Sequence, residues 1–256
     1  MKISIVTVTY NSSDFISHCL KSVKLQNYNN IEHIVIDGAS TDNTLSILKN
    51  NKKQLSTLIS EPDKGIYDAM NKGIKISTGD IIGFLNSDDF YSNNEVLSKI
   101  ANVFNNDTTL EACYADLLYT DRNDISKNVR YWKSNKFTLG SFEKGWCPPH
   151  PTFFCKRSVY EKYGYYNLNY NIAADVELMM RFLEVNKINV QYIPTILVKM
   201  RIGGISNKSL RNILNVNKEI LYALKKHNLS KNSLIFFSNK IWSRAKQFFQ
   251  RPTYLV

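Results

Sequence analysis

The stretch that decides the fold is Ile81-Ile82-Gly83-Phe84-Leu85-Asn86-Ser87-Asp88-Asp89, an apolar run that ends in two adjacent carboxylates. A run this short and this apolar is typical of a parallel strand that is buried on both faces. Its polar end would lie at the carboxyl edge of the sheet, where open α/β sheets bind ligands. Asp88 and Asp89 offer the hard oxygen ligands that Mg²⁺ and Mn²⁺ prefer. The alternative interpretation is a solvated Asx turn that caps the next helix.

Strands and helices alternate through the first half of the chain. The pattern predicts strands at 3–8, 32–36, 55–59 and 80–85, with an amphipathic helical pattern in each interval. Four such alternations predict βαβ units with right-handed crossovers and a mostly parallel sheet. The predicted fold class is therefore α/β, with a Rossmann-type, mostly parallel sheet flanked by helices and a helical, basic extension at the C-terminal end.

The second half is less regular. Its patterns predict strands at 110–119, 189–194 and 196–202, a loop or hairpin at 121–135, and helices at 156–163 and 174–184. The composition turns basic and helical after Gly203 and Gly204. We therefore expect a catalytic domain at 1–205, made of a nucleotide-binding half at 1–90 and an acceptor-binding half at 91–205. A basic amphipathic tail at 206–256 would follow.

The net charge of +11 is concentrated in the tail. Residues 206–256 contain ten lysines and arginines and one acidic residue, Glu219, and so contribute +9. Charge alone does not choose between nucleic acid, anionic lipid and no partner at all. Apolar residues recur on one helical face from Leu234 to Phe248, and Lys240, Arg244 and Arg251 lie on another. This pattern favours a helix lying on anionic lipid, and a helix docked on the body with a solvated basic face is the alternative.

Cysteine usage and hydropathy bear on location. The four cysteines form no C-x-x-C pair and no zinc-ligand spacing, so neither a disulfide framework nor a metal knuckle is predicted. We see no secretory leader and no run of about 18 apolar residues, the length that a spanning helix needs. The expected location is the cytoplasm, with peripheral contact at the inner face of the cytoplasmic membrane.

Polar residues at the strand ends outline a candidate nucleotide pocket. Asp37 ends the second predicted strand, as Asp88 and Asp89 end the fourth, and Tyr10 at the tip of the first could stack on a base. Each could instead be an ordinary turn or rim residue. No glycine-rich loop follows the first strand, which argues against a dinucleotide fingerprint and a P-loop. A divalent ion would therefore have to neutralise most of the charge of a bound diphosphate.

Five ordered segments of the chain resemble the family-2 glycosyltransferases of the GT-A fold. The matching stretches are 4–11, 34–42, 61–73, 78–80 and 84–89, and the resemblance extends over about residues 3–205. The similarity is strongest to enzymes that build bacterial O-antigen and exopolysaccharide repeat units. It implies a GT-A-like sheet, a UDP-sugar donor, and Mn²⁺ or Mg²⁺ as the cofactor.

The resemblance also implies roles for individual residues. The nucleotide-sugar donor would be bound by Thr9, Tyr10, Asn11, Asp37, Asp68, Asn71 and Asp88, and the metal ion by Asp89 together with Asp88. Two positions depart from the family pattern. Many relatives have a second carboxylate where this chain has Gly38, and many begin the metal motif with an aspartate where it has Asn86. Both departures leave fewer carboxylates at the pocket.

The catalytic and acceptor residues come from the second half. In the family, an acidic residue at the head of a late helix is the base, and Asp175 matches that place. Glu177 is the competing candidate, but its i, i+4 spacing to Arg181 suggests a surface ion pair. The proline-bracketed segment 146–152 could form an acceptor-side wall through Trp146 and His150, and the alternative for His150 is an ordinary loop histidine.

Together, these features predict an inverting, metal-dependent transfer of a hexose from a UDP-sugar to a sugar on a polyprenyl diphosphate, in bacterial surface polysaccharide synthesis. Nucleic acid is not an expected partner. Two other classes compete. A sugar-nucleotide pyrophosphorylase would be expected to have the glycine-rich loop that is missing here. A non-catalytic basic protein on membrane or nucleic acid would explain the tail but not the carboxylates at the strand ends.

Overall fold

One mixed sheet of nine strands runs through the residues that the computed structural model describes, which are 1–203, 210–229 and 233–250. The strands are β1 (Ile3–Thr9), β2 (Ile31–Asp37), β3 (Thr57–Ser60), β4 (Ile81–Phe84), β5 (Phe90–Tyr91), β6 (Ala112–Thr120), β7 (Asn128–Trp132), β8 (Phe154–Lys156) and β9 (Val190–Arg201). The helices are α1 (Ile16–Lys24), α2 (Thr44–Asn50), α3 (Ile66–Ile76), α4 (Val96–Asn106), α5 (Arg157–Tyr163), α6 (Ala174–Met180), α7 (Leu210–Lys226) and α8 (Ser233–Phe249). Helix α6 continues as a π-helical segment, Arg181–Val185.

The first half confirms the predicted alternation of strands and helices. Strands β3, β2, β1 and β4 lie side by side in that order, and every pair among them is parallel. Thr9 at the end of β1 is paired with Asp37 at the end of β2, and Val6 is paired with Phe84 at the end of β4. The carboxyl ends of these strands therefore share one edge of the sheet.

The second half adds strands of both directions. Strand β8 lies antiparallel between β4 and β6, β9 runs parallel to β6, and β5 pairs antiparallel with the far side of β9. Strand β7 forms a hairpin on β6 in the region predicted as a loop or hairpin. The two strands predicted at 189–194 and 196–202 are one strand, β9. Its register with β6 shifts between Ile193 and Ile196, where Pro194 lacks the N–H that a regular ladder requires.

Burial on both faces explains the apolar character of the central strands. Successive residues of a strand point to opposite faces, so Ile3 and Ile5 of β1 pack with α1 and α4 on one side. Val6 and Val8 point to the other side, into the same core as residues of α3 and α6. Helix α7 joins this second core through buried Ile220, Ala223 and Leu224, which belong to the same apolar cluster. The first tail helix therefore packs on the body.

Helix α8 docks on the body with the face that carries Phe236 and Lys240, whereas the docked alternative predicted a solvated basic face. Phe236 is buried, and α8 packs against β7 and the short helical turn Phe142–Lys144. Lys240 faces the body as well, because its Nζ donates to Asn217 Oδ1 of α7 at 2.7 Å. Burial lowers the pKa of Lys240 to about 8. The expectation that Lys240 lies on a lipid-facing basic surface is wrong, and Arg251 lies outside the described residues.

The outward face of α8 is apolar instead. Its large exposed apolar side chains are Leu234, Ile235, Ile241, Trp242, Phe248 and Phe249, and Phe249 is 85% exposed. Single exposed apolar residues are ordinary, but six of them on one helix are an unusual concentration of apolar surface. Within the described ranges, no helix combines the length and the apolar character needed to cross a bilayer.

Candidate active site

The loops after β1, β2 and β4 contact one another at the carboxyl edge of the sheet. Ser12 Oγ, after β1, lies 2.9 Å from Ser87 Oγ, after β4. Asn11 Oδ1 accepts a hydrogen bond of 2.9 Å from the backbone N–H of Thr41, after β2. The strand ends that are distant in sequence are therefore joined through adjacent loops, as expected from the parallel arrangement.

Asp37 organises the loop after β2. The carboxylate is buried and accepts hydrogen bonds from the N–H of Ser40 at 3.1 Å and the hydroxyl of Ser60 at 2.6 Å. The hydroxyl of Ser40 also donates to it. These three bonds hold the turn in place and occupy most of the acceptor capacity of the carboxylate.

Tyr10 and Asn11 extend from the end of β1 toward solvent. The side chain of Tyr10 is 60% exposed, which leaves its ring accessible to a ligand. Asn11 adopts a positive φ of 48°, and its side chain secures the loop after β2. Thr9 is buried, and its hydroxyl has no hydrogen-bond partner among the described residues.

Gly38 leaves room for a carboxylate from another part of the chain. A Cβ atom at position 38 would lie 2.5 Å from Asp63 Oδ2 and 3.5 Å from the Tyr10 ring. Asp63 follows β3, and its Oδ1 accepts a hydrogen bond of 2.8 Å from the N–H of Gly65. The position at which many relatives carry a second carboxylate is thus adjacent to Asp63, a residue that the sequence motifs did not single out.

Asp88 and Asp89 follow β4 at the same edge. Asp89 is fully buried; burial raises the pKa of Asp89 well above its ordinary value, and the charge of Asp88 raises it further. Burial also raises the pKa of the half-buried Asp88. Among the described residues, Asn86 Oδ1 and Asp89 Oδ1 have no hydrogen-bond partner. A divalent cation would satisfy such buried oxygens and favour the charged carboxylates.

The donor set suits a hard cation that brings further ligands with it. No group of three or more His, Cys, Asp or Glu side chains able to hold a metal occurs in the part of the chain that the structure describes. Two adjacent carboxylates nevertheless match the way Mg²⁺ is held in many nucleotide sites, where phosphate oxygens and waters complete the coordination. Asp88 and Asp89 thus fit a cation that arrives with a diphosphate.

Two of the residues expected at the donor are engaged elsewhere in the protein. Asn71 is buried, its amide N–H donates to the carbonyl of Tyr166 at 2.9 Å, and its Oδ1 accepts from the N–H of Tyr166 at 2.9 Å. The structure therefore gives Asn71 the role of joining α3 to the loop before α6. Asp68 Oδ2 accepts from the backbone N–H of Lys64 at 3.0 Å, which fixes the start of α3.

Asp175 lies at the start of α6, in contact with the first half of the chain. The hydroxyl of Tyr67, on α3, is 3.1 Å from Asp175 Oδ1 and 2.7 Å from the carbonyl oxygen of Ile172, so it can donate to either. Asp175 is half-buried. Burial and the charge of Asp175 together raise the pKa of Tyr67 well above its ordinary value, which keeps the phenol a donor.

Glu177 is a buried structural group: the predicted ion pair with Arg181 forms, but the expectation that it lies at the surface is wrong. Its side chain is 2% exposed and contacts Arg181 at 3.1 Å and His227 at 2.8 Å. Burial pushes the pKa of Glu177 upward, but the hydrogen bonds from His227 and Arg181 outweigh it and lower the pKa below its ordinary value. With its carboxylate held in this way, Glu177 is a poor candidate for a proton acceptor.

The two residues expected at the acceptor lie in aromatic surroundings. His150 is buried, with Nε2 at 2.6 Å from the hydroxyl of Tyr166, and burial lowers its pKa. The Tyr166 ring stacks on that of Tyr67 at 5.5 Å, so His150 supports the residues beside Asp175. Trp146 packs among Tyr114, Phe137 and Phe142 at ring distances of 5.7 to 5.9 Å.

Comparison with known proteins decides the family. The sequence profile described as "Glycosyl transferase family 2" matches residues 4–164, which include the ends of β1, β2, β3 and β4. This chain belongs to glycosyltransferase family 2. The glycosyltransferase is therefore an enzyme that uses a nucleotide-sugar donor.

Relatives of this glycosyltransferase include mycobacterial proteins. An uncharacterised glycosyltransferase of Mycobacterium tuberculosis is 34% identical over 186 residues, which cover 70% of this chain and 68% of that protein. A PGL/p-HBAD biosynthesis glycosyltransferase of Mycobacterium bovis is 27% identical over 208 residues, which cover 80% and 78% of the two chains.

Solved structures share the GT-A fold of the glycosyltransferase. Residues 1–349 of TarS from S. aureus, in complex with UDP-GlcNAc, superpose with a TM-score of 0.66 at 15% identity, covering 97% of this chain and 75% of that one. The mannosyltransferase PcManGT from Pyrobaculum calidifontis, in complex with GDP-Man and Mn²⁺, gives a TM-score of 0.68 at 17% identity, covering 96% and 72%. At these identities, the likeness establishes the fold.

The structure adds two candidate site residues of this glycosyltransferase that sequence reasoning missed. Asp63 and Tyr67 both belong to the quoted segment 61–73, but their spacing carries no periodic signal. The signal for Asp63 is indirect, since a glycine at position 38 implies that another group needs the space. For Tyr67, no signal in the sequence indicates contact with a residue more than one hundred positions later.

Proposed function

We propose that this glycosyltransferase moves a hexose from a UDP-sugar to a lipid-linked sugar acceptor with inversion at the anomeric carbon. The acceptor sugar would be carried on a polyprenyl diphosphate, and the product would enter a bacterial surface glycan such as O-antigen. The observation that supports this proposal most is the contact between Tyr67 and Asp175. It brings a half-buried carboxylate from the second half of the chain beside α3, which begins at the edge where β1, β2 and β4 end.

Asp175 is the proposed general base. It accepts the proton of the acceptor hydroxyl while that oxygen forms a bond to the anomeric carbon. The bond from the anomeric carbon to the diphosphate oxygen breaks, and its electron pair leaves with UDP. Attack from the side opposite the diphosphate inverts the anomeric centre. The hydrogen bond available from the Tyr67 hydroxyl orients the carboxylate for this transfer.

The donor site is proposed from the residues at the sheet edge. The exposed ring of Tyr10 would stack on uracil, and Asp63 next to Gly38 would accept hydrogen bonds from the base or ribose. Asp37 and Asn11 would hold these loops in the binding conformation, with Thr9 below them. Asp88 and Asp89 would hold Mn²⁺ or Mg²⁺, which, when bound, stabilises negative charge on the departing diphosphate.

Relatives support the choice of substrates. One solved neighbour binds UDP-GlcNAc, and another binds GDP-Man with Mn²⁺, so both a uridine and a guanosine donor occur on this fold. A relative at 27% identity is named for PGL/p-HBAD biosynthesis. We favour UDP because the Tyr10 ring and the Asp63 carboxylate both lie next to Gly38, where they would contact a small pyrimidine base.

A donor and acceptor screen tests the proposed function. UDP-glucose, UDP-galactose, UDP-N-acetylglucosamine and GDP-mannose are each offered with Mn²⁺ and a synthetic sugar diphosphate lipid, and the product is identified by mass and by the coupling constant of its anomeric proton. We expect transfer from a UDP-sugar with an inverted linkage. Transfer from GDP-mannose alone, or a retained linkage, would refute the corresponding part of the proposal.

The outward face of α8 supports peripheral membrane contact. Its exposed side chains include Trp242, Phe248 and Phe249, and basic Lys246 lies beside them, with Nζ 5.3 Å from the Trp242 ring. Aromatic residues next to a lysine suit the boundary between acyl chains and anionic headgroups. In this arrangement the apolar side chains would enter the lipid, whereas Lys240 would face the body.

Replacing two exposed residues of α8 should release the enzyme from vesicles. Ile241→Ser combined with Phe249→Ser removes apolar surface from the outward face and is expected to weaken binding to phosphatidylglycerol-containing vesicles at least about tenfold. Flotation measures the bound fraction, and the Trp242 emission should shift to the blue in the parent protein but not in the double variant. The control is Leu25→Ser, at a leucine on the body that is 57% exposed. Equal binding of all three proteins would contradict a lipid role for α8.

A further inference from the structure

A carboxylate of the tail holds the backbone that leads into α6. Glu219, on α7, accepts hydrogen bonds from the backbone N–H groups of Asn171 at 3.0 Å, Ile172 at 3.0 Å and Ala173 at 2.9 Å. Ala173 is the residue before the helix and has no side chain that can cap it. A helix start needs acceptors for its free N–H groups, and a carboxylate also interacts favourably with the helix dipole. Of the three donors, only Ala173 belongs to the helix start itself, so Glu219 chiefly fixes the residues that lead into α6.

The same short segment is held from the opposite direction by the first half of the chain. Ile172 donates its N–H to Glu219, and its carbonyl oxygen lies 2.7 Å from the Tyr67 hydroxyl. Asp175 lies three residues further along, in contact with that same hydroxyl. The position of the Asp175 carboxylate relative to Tyr67 thus depends on where Glu219 holds the backbone of 171–173.

A second contact from α7 restrains α6 further along. His227 Nε2 lies 2.8 Å from Glu177 Oε1, and Arg181 binds the same carboxylate. Glu219 lies on α7, and His227 directly follows the last residue of that helix, about two helical turns further on. One side chain therefore holds the segment that leads into α6, and the other contacts α6 itself. Buried Ile220, Ala223 and Leu224 attach α7 to the body between them.

We infer that Glu219 is a positioning residue for Asp175, and hence that the basic tail forms part of the active site through α7. This inference rests on the proposed role of Asp175 as the base. Glu219 itself would not contact the reacting atoms. It would act by fixing the backbone from which Asp175 projects, because a misplacement of about 1 Å can cost about a hundredfold in rate.

The test compares Glu219→Ala and Glu219→Gln with Lys218→Ala, the neighbouring exposed position on α7. Turnover is measured as UDP release from whichever of UDP-glucose, UDP-galactose and UDP-N-acetylglucosamine the parent enzyme uses fastest, and donor binding is measured by titration with UDP. We expect Glu219→Ala to lower kcat about 10- to 100-fold with an unchanged UDP affinity. Glu219→Gln should recover part of the loss, because its amide oxygen still accepts hydrogen bonds. Lys218→Ala should behave as the parent.

A double variant separates positioning from general weakening of the fold. If Glu219 acts through Asp175, adding Glu219→Ala to Asp175→Asn should cost less than about twofold more, since the group to be positioned has already been removed. Losses that multiply in the double variant would overturn the inference, as would a full kcat in Glu219→Ala. Full turnover in Asp175→Asn alone would instead refute the proposed base, so the two failures are distinguishable.

Discussion

Asp175→Asn should lower turnover by about 10²- to 10⁴-fold while leaving UDP affinity unchanged, because this is the range that a positioned general base contributes. The amide keeps the size and the hydrogen bond of the side chain, and Tyr67 can still donate to its oxygen. The asparagine amide, however, has no basic oxygen that can take the proton of the acceptor hydroxyl. Initial rates of UDP release with saturating donor and acceptor, together with UDP titration, measure the two quantities separately.

Glu161→Gln is a suitable control for this loss. Glu161 also belongs to a helix of the second half, and it forms an exposed ion pair with Arg157, so its neutralisation should leave turnover within about twofold. Glu177→Gln should differ from Asp175→Asn in its main effect. It should lower thermal stability, because it weakens the buried contacts with Arg181 and His227.

Turnover near that of the parent in Asp175→Asn would exclude Asp175 as the base.

Asp89→Asn should abolish stabilisation by Mn²⁺ and raise the melting temperature of the metal-free protein at pH 7. Burial raises the pKa of Asp89 above the ordinary 3.8, so the folded protein holds this proton more tightly than the unfolded chain does. Folding stability therefore falls as pH rises from about 3.8 through the raised pKa. An amide does not ionise and avoids this loss, and each 1 kcal/mol gained corresponds to about 2–4 °C for a chain of this size.

Thermal unfolding of the parent and Asp89→Asn, with and without Mn²⁺, at pH 5 and pH 7 tests this expectation. In the parent, Mn²⁺ should raise the melting temperature more at pH 7, where the carboxylates can be charged. Turnover should fall at least about a hundredfold in the variant. Asp80→Asn, at an exposed residue just before β4, is the control. An equal Mn²⁺ shift in the parent and in Asp89→Asn would remove Asp89 from the metal site.

The sheet of the first half was predictable because its signals are local. Each apolar run from β1 to β4 ends in polar residues, and each interval has one apolar helical face. The second half carried weaker signals. Pro194 interrupts the apolar pattern, which suggested two strands. In the structure the register between β6 and β9 shifts at this point, and β9 continues as one strand. Periodicity reports which residues are buried, but it does not report a bulge.

The candidate site was predictable in part. Motif positions identified Asp88, Asp89 and Asp175, and the structure places the first two at the shared strand edge and the third against Tyr67. Asn71 was expected at the donor, but its amide is engaged by the Tyr166 backbone. A residue within a motif can stabilise the fold or bind the ligand, and the residue type alone does not distinguish these two roles.

The sequence by itself determined the order of strands and helices in the first half, and the edge at which the strand-end carboxylates gather. Parallel strands joined by right-handed crossovers bring their carboxyl ends together whatever the loops contain. Only the tertiary structure decided that Asp63 fills the space at Gly38 and that Lys240 faces the body. It also decided that Glu219 accepts hydrogen bonds from the backbone before α6. These contacts join elements that are far apart in the chain, and they depend on how helices dock, which no local pattern of residues encodes.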